Sequence, residues 1–374
     1  MTGIYIHIPF CRQKCNYCNF FSIASIKYKS DFIKALLKEI ELQKNFFQNK
    51  KINTIYFGGG TPSMLSVSEI SSILNKINQS FSIEKDAEIT IEANPDDLSV
   101  EKIIELRNTP INRISVGIQS FIDDDLRYLN RKHNSEQAKN SIYQLKELGF
   151  ENISIDLIYG IPTLTEKKWE QNLDNFFKME IPHLSAYSLT IEKKTILDNL
   201  IRKGKTKNIS ESQSIEHFKC LLDRMEENNF VHYEISNFSL HGRHSKHNSI
   251  YWTGGKYLGL GPSAHSFNGN SRQWNVANLS KFIQSLNNNI IPAEIEILNT
   301  DQKYNEYIMT SLRTILGCNK NFIKEQFGEK YLYHFIKSTK KHLKDKTLIL
   351  KDDKYVLSQS GKLFTDGIAS DLFI

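Results

Sequence analysis

The feature that most constrains this fold is an alternation of strand-like and helix-like segments through the first half of the chain. Six short runs rich in Ile and Val begin at Gly3, Ile52, Glu88, Asn112, Asn152 and His183. Amphipathic runs fill the intervals, and one opens with a capping box of Ser66 and Glu69. Such repeats predict parallel strands joined by right-handed crossovers. Six units predict an α/β fold with an incomplete (β/α)6 TIM-like barrel, an open parallel sheet being the alternative, and chemistry after the carboxyl ends of the strands.

The remainder of the chain predicts two further units. The 374 residues exceed one ordinary compact core. We expect a partial barrel over residues 1–200, an extension over 201–290, and a smaller helical, winged-helix-like domain over 291–374. The extension begins with a helix near 210–228 and continues as a loop-rich region over 237–275. A hairpin turning near Asp352 and Asp353 is predicted close to the end of the chain.

Composition indicates the cellular setting. Five cysteines, three of them clustered, are too few for a secreted disulfide framework, so a reducing cytoplasm is expected. No apolar run reaches the length of a membrane helix, and the opening MTGIYIHIPF lacks the features of a signal peptide. The net charge of +6 permits an anionic partner without requiring nucleic acid.

The cysteine cluster lies directly after the first predicted strand, in HIPFCRQKCNYCNF. Cys11, Cys15 and Cys18 are one ligand short of a closed metal site. Three structural thiols so close together are improbable in a chain with few cysteines. Zinc would need His7 as the fourth ligand, although His7 belongs to a predicted strand. A [4Fe–4S] cluster held by three cysteines would keep one iron open to an exchangeable ligand.

The spacing C-x3-C-x2-C, with an aromatic residue before the third cysteine, resembles the signature of the radical S-adenosylmethionine (SAM) family. The resemblance implies that Cys11, Cys15 and Cys18 bind a [4Fe–4S] cluster. It also implies that SAM chelates the open iron through its amino and carboxylate groups. Reductive cleavage of SAM in that family produces a 5′-deoxyadenosyl radical.

Candidate SAM residues follow the later strands. In GGGTP a glycine triplet lets the backbone approach a ligand closely, although an ordinary turn would explain it equally well in isolation. It resembles the family's GGE motif, which implies that Gly59, Gly60 and Thr61 contact SAM. Polar residues near the ends of later strands each need a partner when buried, and an ion pair of Arg131 with Asp156 is the simpler explanation. Because four such residues share the predicted active face, we expect ligand binding by Glu92, Gln119, Arg131 and Asp156.

A narrower resemblance covers roughly the first 265 residues. YIHIPFC, GGGTP, GIQS and IDLIYGIP, in this order, are similar to the oxygen-independent coproporphyrinogen III oxidase branch of the family. That similarity implies that Tyr5 and Tyr17 also pack near SAM. The oxidases carry a fourth cysteine two residues after the third, whereas this chain has Asn19 and Phe20 there.

A second departure favours a different branch. HNSIYW resembles a signature of HemW-type heme chaperones, which implies heme binding at His247, Asn248, Tyr251 and Trp252. Imidazole is a common heme ligand, and the two aromatic rings suit a flat porphyrin. A solvated basic loop anchored by its aromatic residues is the simpler explanation of the same segment. His265, in the Gly-rich stretch downstream, is a secondary candidate.

The functional hypothesis is a heme chaperone that carries a [4Fe–4S] cluster and exchangeable SAM and passes heme to respiratory heme proteins. The enzyme alternative is the oxidase itself, which converts propionates to vinyl groups. A third class, RNA modification, would use the basic stretch Lys193–Lys207, but that stretch lacks interleaved aromatic residues, so no nucleic acid is expected. Cys220 is predicted to be a core thiol on a helix. Peripheral membrane association and the oligomeric state are left open.

Overall fold

The computed structural model describes residues 1–374, and its first half is the predicted series of strand–helix units. Six parallel strands lie side by side in chain order: β1 (Thr2–Ile8), β2 (Lys51–Gly59), β3 (Ser82–Ala93), β4 (Arg113–Gln119), β5 (Ile153–Tyr159) and β6 (His183–Ser188). The helices between them are α1 (Lys29–Leu42), α2 (Val67–Ser80), α3 (Val100–Arg107), α4 (Asp123–Tyr128), α5 (Ser135–Glu147) and α6 (Glu166–Lys178). The prediction of an incomplete barrel of six strands is confirmed, and the predicted capping box of Ser66 and Glu69 opens α2.

The region after β6 adds strands to both edges of this sheet. Its elements are α7 (Ile196–Arg202), α8 (Glu211–Glu227), β7 (Val231–Glu234), β8 (Asn237–Ser239), α9 (Lys246–Trp252), β9 (Lys256–Leu260), β10 (His265–Phe267), β11 (Ser271–Asn275), α10 (Leu279–Asn287) and β12 (Ala293–Ile297). The full sheet has twelve strands in the order β12-β11-β10-β9-β1-β2-β3-β4-β5-β6-β8-β7. Strand β9 pairs in parallel with β1, and β8 pairs antiparallel with β6.

The prediction of a loop-rich region over 237–275 is therefore wrong. Four short strands and one helix occupy most of it. Strands of three to five residues carry too little alternation to be read locally, and here β1 supplies the partner that makes β9 a strand. The predicted helix near 210–228 is confirmed as α8.

The last part of the chain forms a small unit of helices around a three-stranded sheet. Its elements are α11 (Thr300–Leu312), β13 (Cys318–Asn319), α12 (Lys320–Phe327), α13 (Glu329–Lys344), β14 (Leu348–Lys351), β15 (Lys354–Leu357) and α14 (Thr365–Asp371). The predicted hairpin is present as β14 and β15, and Asp352 and Asp353 both adopt positive φ in its two-residue turn. None of the helices combines the length and the apolar character needed to cross a bilayer.

Two hydrophobic clusters divide the interior. The larger has 61 buried residues between Ile4 and Leu286, and the smaller has 12 between Tyr304 and Leu372. Members of the larger cluster come from residues both before and after position 200, so apolar packing joins the barrel to the extension. The division into three domains, with its two boundaries, stays a prediction.

Candidate cofactor site

The carboxyl ends of the central strands surround a cavity of about 480 Å³. All the residues predicted to bind the cluster or SAM line it, except Tyr5. The lining includes Cys11, Cys15, Cys18, Tyr17, Gly59, Gly60, Thr61, Glu92, Gln119, Arg131 and Asp156. These residues come from five different strand–loop segments, and parallel strands bring such segments together at one edge.

The cysteine loop is fastened to the barrel by its backbone. Cys11 donates its amide to the Ile23 carbonyl at 3.0 Å, and Asn16 donates its amide to the Leu129 carbonyl at 3.2 Å. The amide of Cys18 donates to the Cys15 carbonyl at 3.3 Å, which closes a tight turn between the two thiols. All three thiols are free and half-buried, so they face the cavity on a constrained loop.

The donor set suits a cluster better than a single metal ion. No group of three or more His, Cys, Asp or Glu side chains is arranged to hold one metal ion. The proposed zinc ligand His7 directs Nε2 to the Phe21 carbonyl at 2.8 Å instead. In a [4Fe–4S] cluster each thiolate binds a different iron, so three thiols need only share one cavity wall. Burial raises the pKa of Cys11 and Cys18, and binding to iron would hold them as thiolates.

Arg131 joins the cysteine loop to the third and fourth strands. Its guanidinium donates to Cys15 Sγ at 3.3 Å, to Asn94 Oδ1 at 2.5 Å and to the Gly117 carbonyl at 2.8 Å. The alternative of an ion pair between Arg131 and Asp156 is wrong, because the guanidinium donates to these three acceptors and forms no ion pair with Asp156. A fixed positive charge therefore lies beside a thiol, where it would offset the negative charge of a thiolate.

Two carboxyl groups face the same cavity without a direct counter-ion. Glu92 accepts from the Tyr56 hydroxyl at 2.8 Å and from the Gly59 amide at 3.1 Å. Burial and the charge of Asp156 raise the pKa of Glu92 to about 7, and burial raises the pKa of Asp156 to about 6. A cationic ligand near both would favour their ionised forms, so this pair is suited to a group bearing an ammonium or sulfonium centre.

The glycine triplet has a protein-packing role that the sequence interpretation missed. A Cβ at Gly58 would lie 2.9 Å from the rings of both Tyr5 and Tyr56, and one at Gly60 would lie 2.6 Å from the Phe10 carbonyl oxygen. Gly59 adopts φ +105°, a conformation that side-chain-bearing residues rarely take. The triplet is thus required by the close packing of β2 against β1, as well as by any ligand that approaches its backbone.

The HNSIYW segment lies away from this cavity, as helix α9. Glu88 accepts from the amides of Lys246 and His247 at 3.1 and 3.0 Å and so satisfies its amino end. His247 is 1% exposed, with Nδ1 bonded to Thr54 Oγ1 at 2.7 Å and Nε2 to the Tyr251 hydroxyl at 2.8 Å. Neither ring nitrogen is free for an iron in this conformation, and the simpler explanation of a solvated loop is also wrong.

The other residues predicted to bind heme lie on α9 with His247. None of His247, Asn248, Tyr251 and Trp252 lines the cavity of the cysteines. Trp252 instead lies against the C-terminal unit, with the Arg313 guanidinium 5.9 Å from the centre of a Trp252 ring. The assignment of heme to these four residues stays a prediction.

Several residues of the site were missed by sequence reasoning. Asn94, Ser115 and Tyr187 line the cavity, and Tyr56 holds Glu92. Ser115, Gly117 and Gln119 are spaced two residues apart on β4, and alternate residues of a strand lie on the same face. This alternation could have identified Ser115 from the sequence. Tyr5 lies beneath the cavity, with its ring stacked on Tyr56 at 6.2 Å.

Comparison with known proteins identifies first a superfamily and then a family. The profile of the radical SAM superfamily matches residues 5–176, a segment that includes the cysteine loop, so this part of the chain is a radical SAM domain. The chain is 34% identical over 368 residues to the heme chaperone HemW of Bacillus subtilis, covering 97% of each protein. It is also 34% identical over 341 residues to the heme chaperone HemW of Lactococcus lactis, covering 90% of this chain and 86% of that relative. The chain belongs to the HemW family of heme chaperones.

A solved structure supports the architecture. Coproporphyrinogen III oxidase (HemN) from Escherichia coli, a radical SAM enzyme, superposes with a TM-score of 0.86. The match covers 100% of this chain and 90% of that chain at 22% identity. It shows a shared fold that extends through the C-terminal unit.

Proposed function

We propose that this protein is a cytoplasmic heme chaperone that binds heme and transfers it to respiratory heme proteins. It carries a [4Fe–4S] cluster with exchangeable SAM, and the state of the cluster or the presence of SAM gates heme transfer. The observation that carries the cofactor part is the single cavity shared by three free thiols, a glycine-rich strand end and two carboxyl groups with raised pKa. Membership in the HemW family supports the heme part.

In this proposal each lining residue that was predicted to bind the cluster or SAM has a specific role. Cys11, Cys15 and Cys18 bind three irons of the cluster. The backbone of Gly59 and Gly60, with Thr61, receives the methionine end of SAM. The remaining contacts to the polar groups of SAM come from Tyr17, Glu92, Gln119, Arg131 and Asp156. Bound together, the cluster and SAM supply one-electron chemistry.

Tyr5 has an indirect part in this site, because it does not line the cavity and its ring stacks on Tyr56, whose hydroxyl donates to Glu92. Arg131 donates hydrogen bonds to Cys15 and to the loop after β3, and so fixes their positions relative to each other. These two residues hold the walls of the cavity in place.

The residues predicted to bind heme lie outside the cofactor cavity. A heme iron could reach His247 only if α9 left its position, because both imidazole nitrogens are bonded and the side chain is buried. His265 is exposed on β10, with its ring 6.3 Å from that of Trp274, and so offers an accessible imidazole beside an aromatic face. We therefore treat His265 as a second candidate ligand, to be compared directly with His247.

The test is anaerobic reconstitution followed by separate titrations with SAM and heme. We expect about four irons and four sulfides per chain, a change in the electron paramagnetic resonance spectrum of the reduced cluster on SAM addition, and heme retention on gel filtration. Heme should then move to an acceptor apoprotein. A centre capped by four protein ligands, zinc, or no metal would reject the cofactor part. Failure to retain heme would reject the chaperone part, and turnover of coproporphyrinogen III would favour the oxidase.

A further inference from the structure

Helix α9 is separated from the cofactor cavity by stacked rows of inward-facing residues. The register pairs Gly3 with Thr54 and Thr54 with Glu88 in the row next to α9. Two residues further along the strands, Tyr5 pairs with Tyr56 in the second row. Glu92, two residues beyond the partner of Tyr56 on β3, belongs to the row that lines the cavity. Alternation along each strand puts these rows one above another.

His247 connects the first row to the second. Its Nδ1 bonds to Thr54 Oγ1 at 2.7 Å, and its ring stacks on the Tyr56 ring with centroids 5.0 Å apart and planes 26° apart. The hydroxyl of Tyr56 then donates to Glu92 Oε1 at 2.8 Å. An unbroken series of contacts thus runs from α9 to a carboxylate of the cavity.

The position of the imidazole is tightly constrained. A Cβ at Gly3 would lie 2.6 Å from Thr54 Oγ1, 2.8 Å from Ile250 and 3.2 Å from His247. Glu88 holds the first two amides of α9 from the neighbouring strand. Because the helix presses directly on β1 and is bonded to β2 and β3, a change at His247 must be taken up by the ring stacked on it.

We propose that His247 is a positioning residue of the SAM site, which fixes the carboxylate of Glu92 through the stacked ring of Tyr56. The imidazole does this with both nitrogens bonded to the protein, and it is therefore not the resident ligand of a heme iron. This inference rests on the proposed SAM site. The proposal therefore assigns His247 to the SAM site instead of the heme site that its sequence motif predicts.

The electrostatic surroundings agree with a neutral, hydrogen-bonded ring. Burial, followed by the positive charge of Arg113, lowers the pKa of His247 to about 3. Arg113 is itself 2% exposed, and the carboxylate of Glu88 faces the backbone amides of α9. Neutral imidazole can satisfy both hydroxyl partners, Thr54 and Tyr251, and stack on Tyr56 without bringing charge into the barrel.

The chain contains a matched control for this arrangement. His183 is fully buried on β6, with Nδ1 bonded to Ser154 Oγ at 2.7 Å and Nε2 bonded to the Tyr233 hydroxyl at 2.8 Å. Its ring contacts Tyr233 and no ring that bonds to Glu92. The two histidines share burial and hydrogen bonding, and they differ in the stack that leads to the cavity.

The experiment compares Thr54→Val and His247→Gln with Ser154→Ala on the reconstituted full chain. Labelled SAM is titrated by equilibrium dialysis, heme is titrated separately, and iron content and urea unfolding are measured for every variant. We expect Thr54→Val and Ser154→Ala to lower stability similarly, because each removes one buried hydroxyl bonded to a histidine, and His247→Gln to lower it more, because its side chain makes two such bonds. We expect SAM to bind about fivefold more weakly to Thr54→Val and His247→Gln, but not to Ser154→Ala. A further variant, Thr54→Ser, keeps the hydroxyl that bonds to His247 and should bind SAM as tightly as the wild type.

The outcomes separate this inference from the proposed function. If the wild-type protein with its cluster binds no SAM, the proposed function fails. If the wild type binds SAM and the Thr54 and His247 variants bind it equally well, the positioning role is overturned. Loss of heme from His247→Gln with unchanged SAM affinity would also overturn it, and would restore His247 as a heme ligand. Equal heme retention in all variants, with the SAM defect, supports it.

Discussion

Glu92 and Asp156 make the cavity sensitive to pH at the level of single residues. Their pKa values lie near 7 and 6 because both carboxyl groups are desolvated and Asp156 repels Glu92. As the pH falls from about 8 to about 5.5, both take up protons, and the negative charge that would attract a cationic ligand is lost. We predict about tenfold weaker SAM binding over this interval, measured by equilibrium dialysis at constant iron content. Glu92→Gln should flatten the upper part of the profile and Asp156→Asn the lower part, whereas an unchanged profile in both would contradict the assignment.

The cysteines offer a second test at the residue scale. Cys15→Ala should abolish the cluster, because two remaining thiolates cannot hold three irons, while heme binding should persist. Cys220 is the matched control: it lies on α8, half-buried against the larger hydrophobic cluster and outside the cavity. Cys220→Ala should keep full iron and sulfide content in the reconstituted protein. Equal loss of iron in the two variants would show that the defect is one of folding rather than ligation.

At the scale of single elements, α9 depends on a carboxylate from another strand. Glu88 is 6% exposed and accepts two amides at the amino end of this seven-residue helix, which is too short to be stable alone. We predict that Glu88→Gln lowers the free energy of unfolding by about 1.5–3 kcal/mol, because bonds to a charged acceptor are lost. Glu101→Gln, at an exposed site in the first turn of α3, should have little effect on it. Urea unfolding measures both, and comparable losses would contradict the role of Glu88.

At the scale of the whole molecule, the two hydrophobic clusters should differ in their response to core mutations. Phe335 is fully buried in the smaller cluster, and Tyr333, two residues earlier on α13, is 72% exposed. Phe335→Ala should destabilise the C-terminal unit by about 3–5 kcal/mol, whereas Tyr333→Ala should have little effect. Hydrogen exchange should show lost protection first in residues 300–372, with β1–β6 still protected. Equal loss of protection in β1–β6 would mean that the two clusters unfold as one unit.

Much of the site could be predicted from sequence because its residues follow local rules. The βα alternation defines parallel strands, and the carboxyl ends of parallel strands meet at one edge. Cys11, Gly59, Glu92 and Asp156 could therefore be assigned to one cavity before any contact was known, and they line it. The hairpin at Asp352 is similarly local, because a two-residue turn with positive φ has a compositional signal.

Patterns a few residues long predict the six-stranded barrel and many of the residues at its mouth, although not Asn94, Ser115 or Tyr187. The partners of Arg131 and the position of α9 depend instead on tertiary packing. Arg131 bonds to Cys15 across 116 positions of sequence, and His247 bonds to Thr54 across 193. No local pattern reports such contacts, because they depend on how whole elements pack and on which buried polar groups that packing brings within bonding distance.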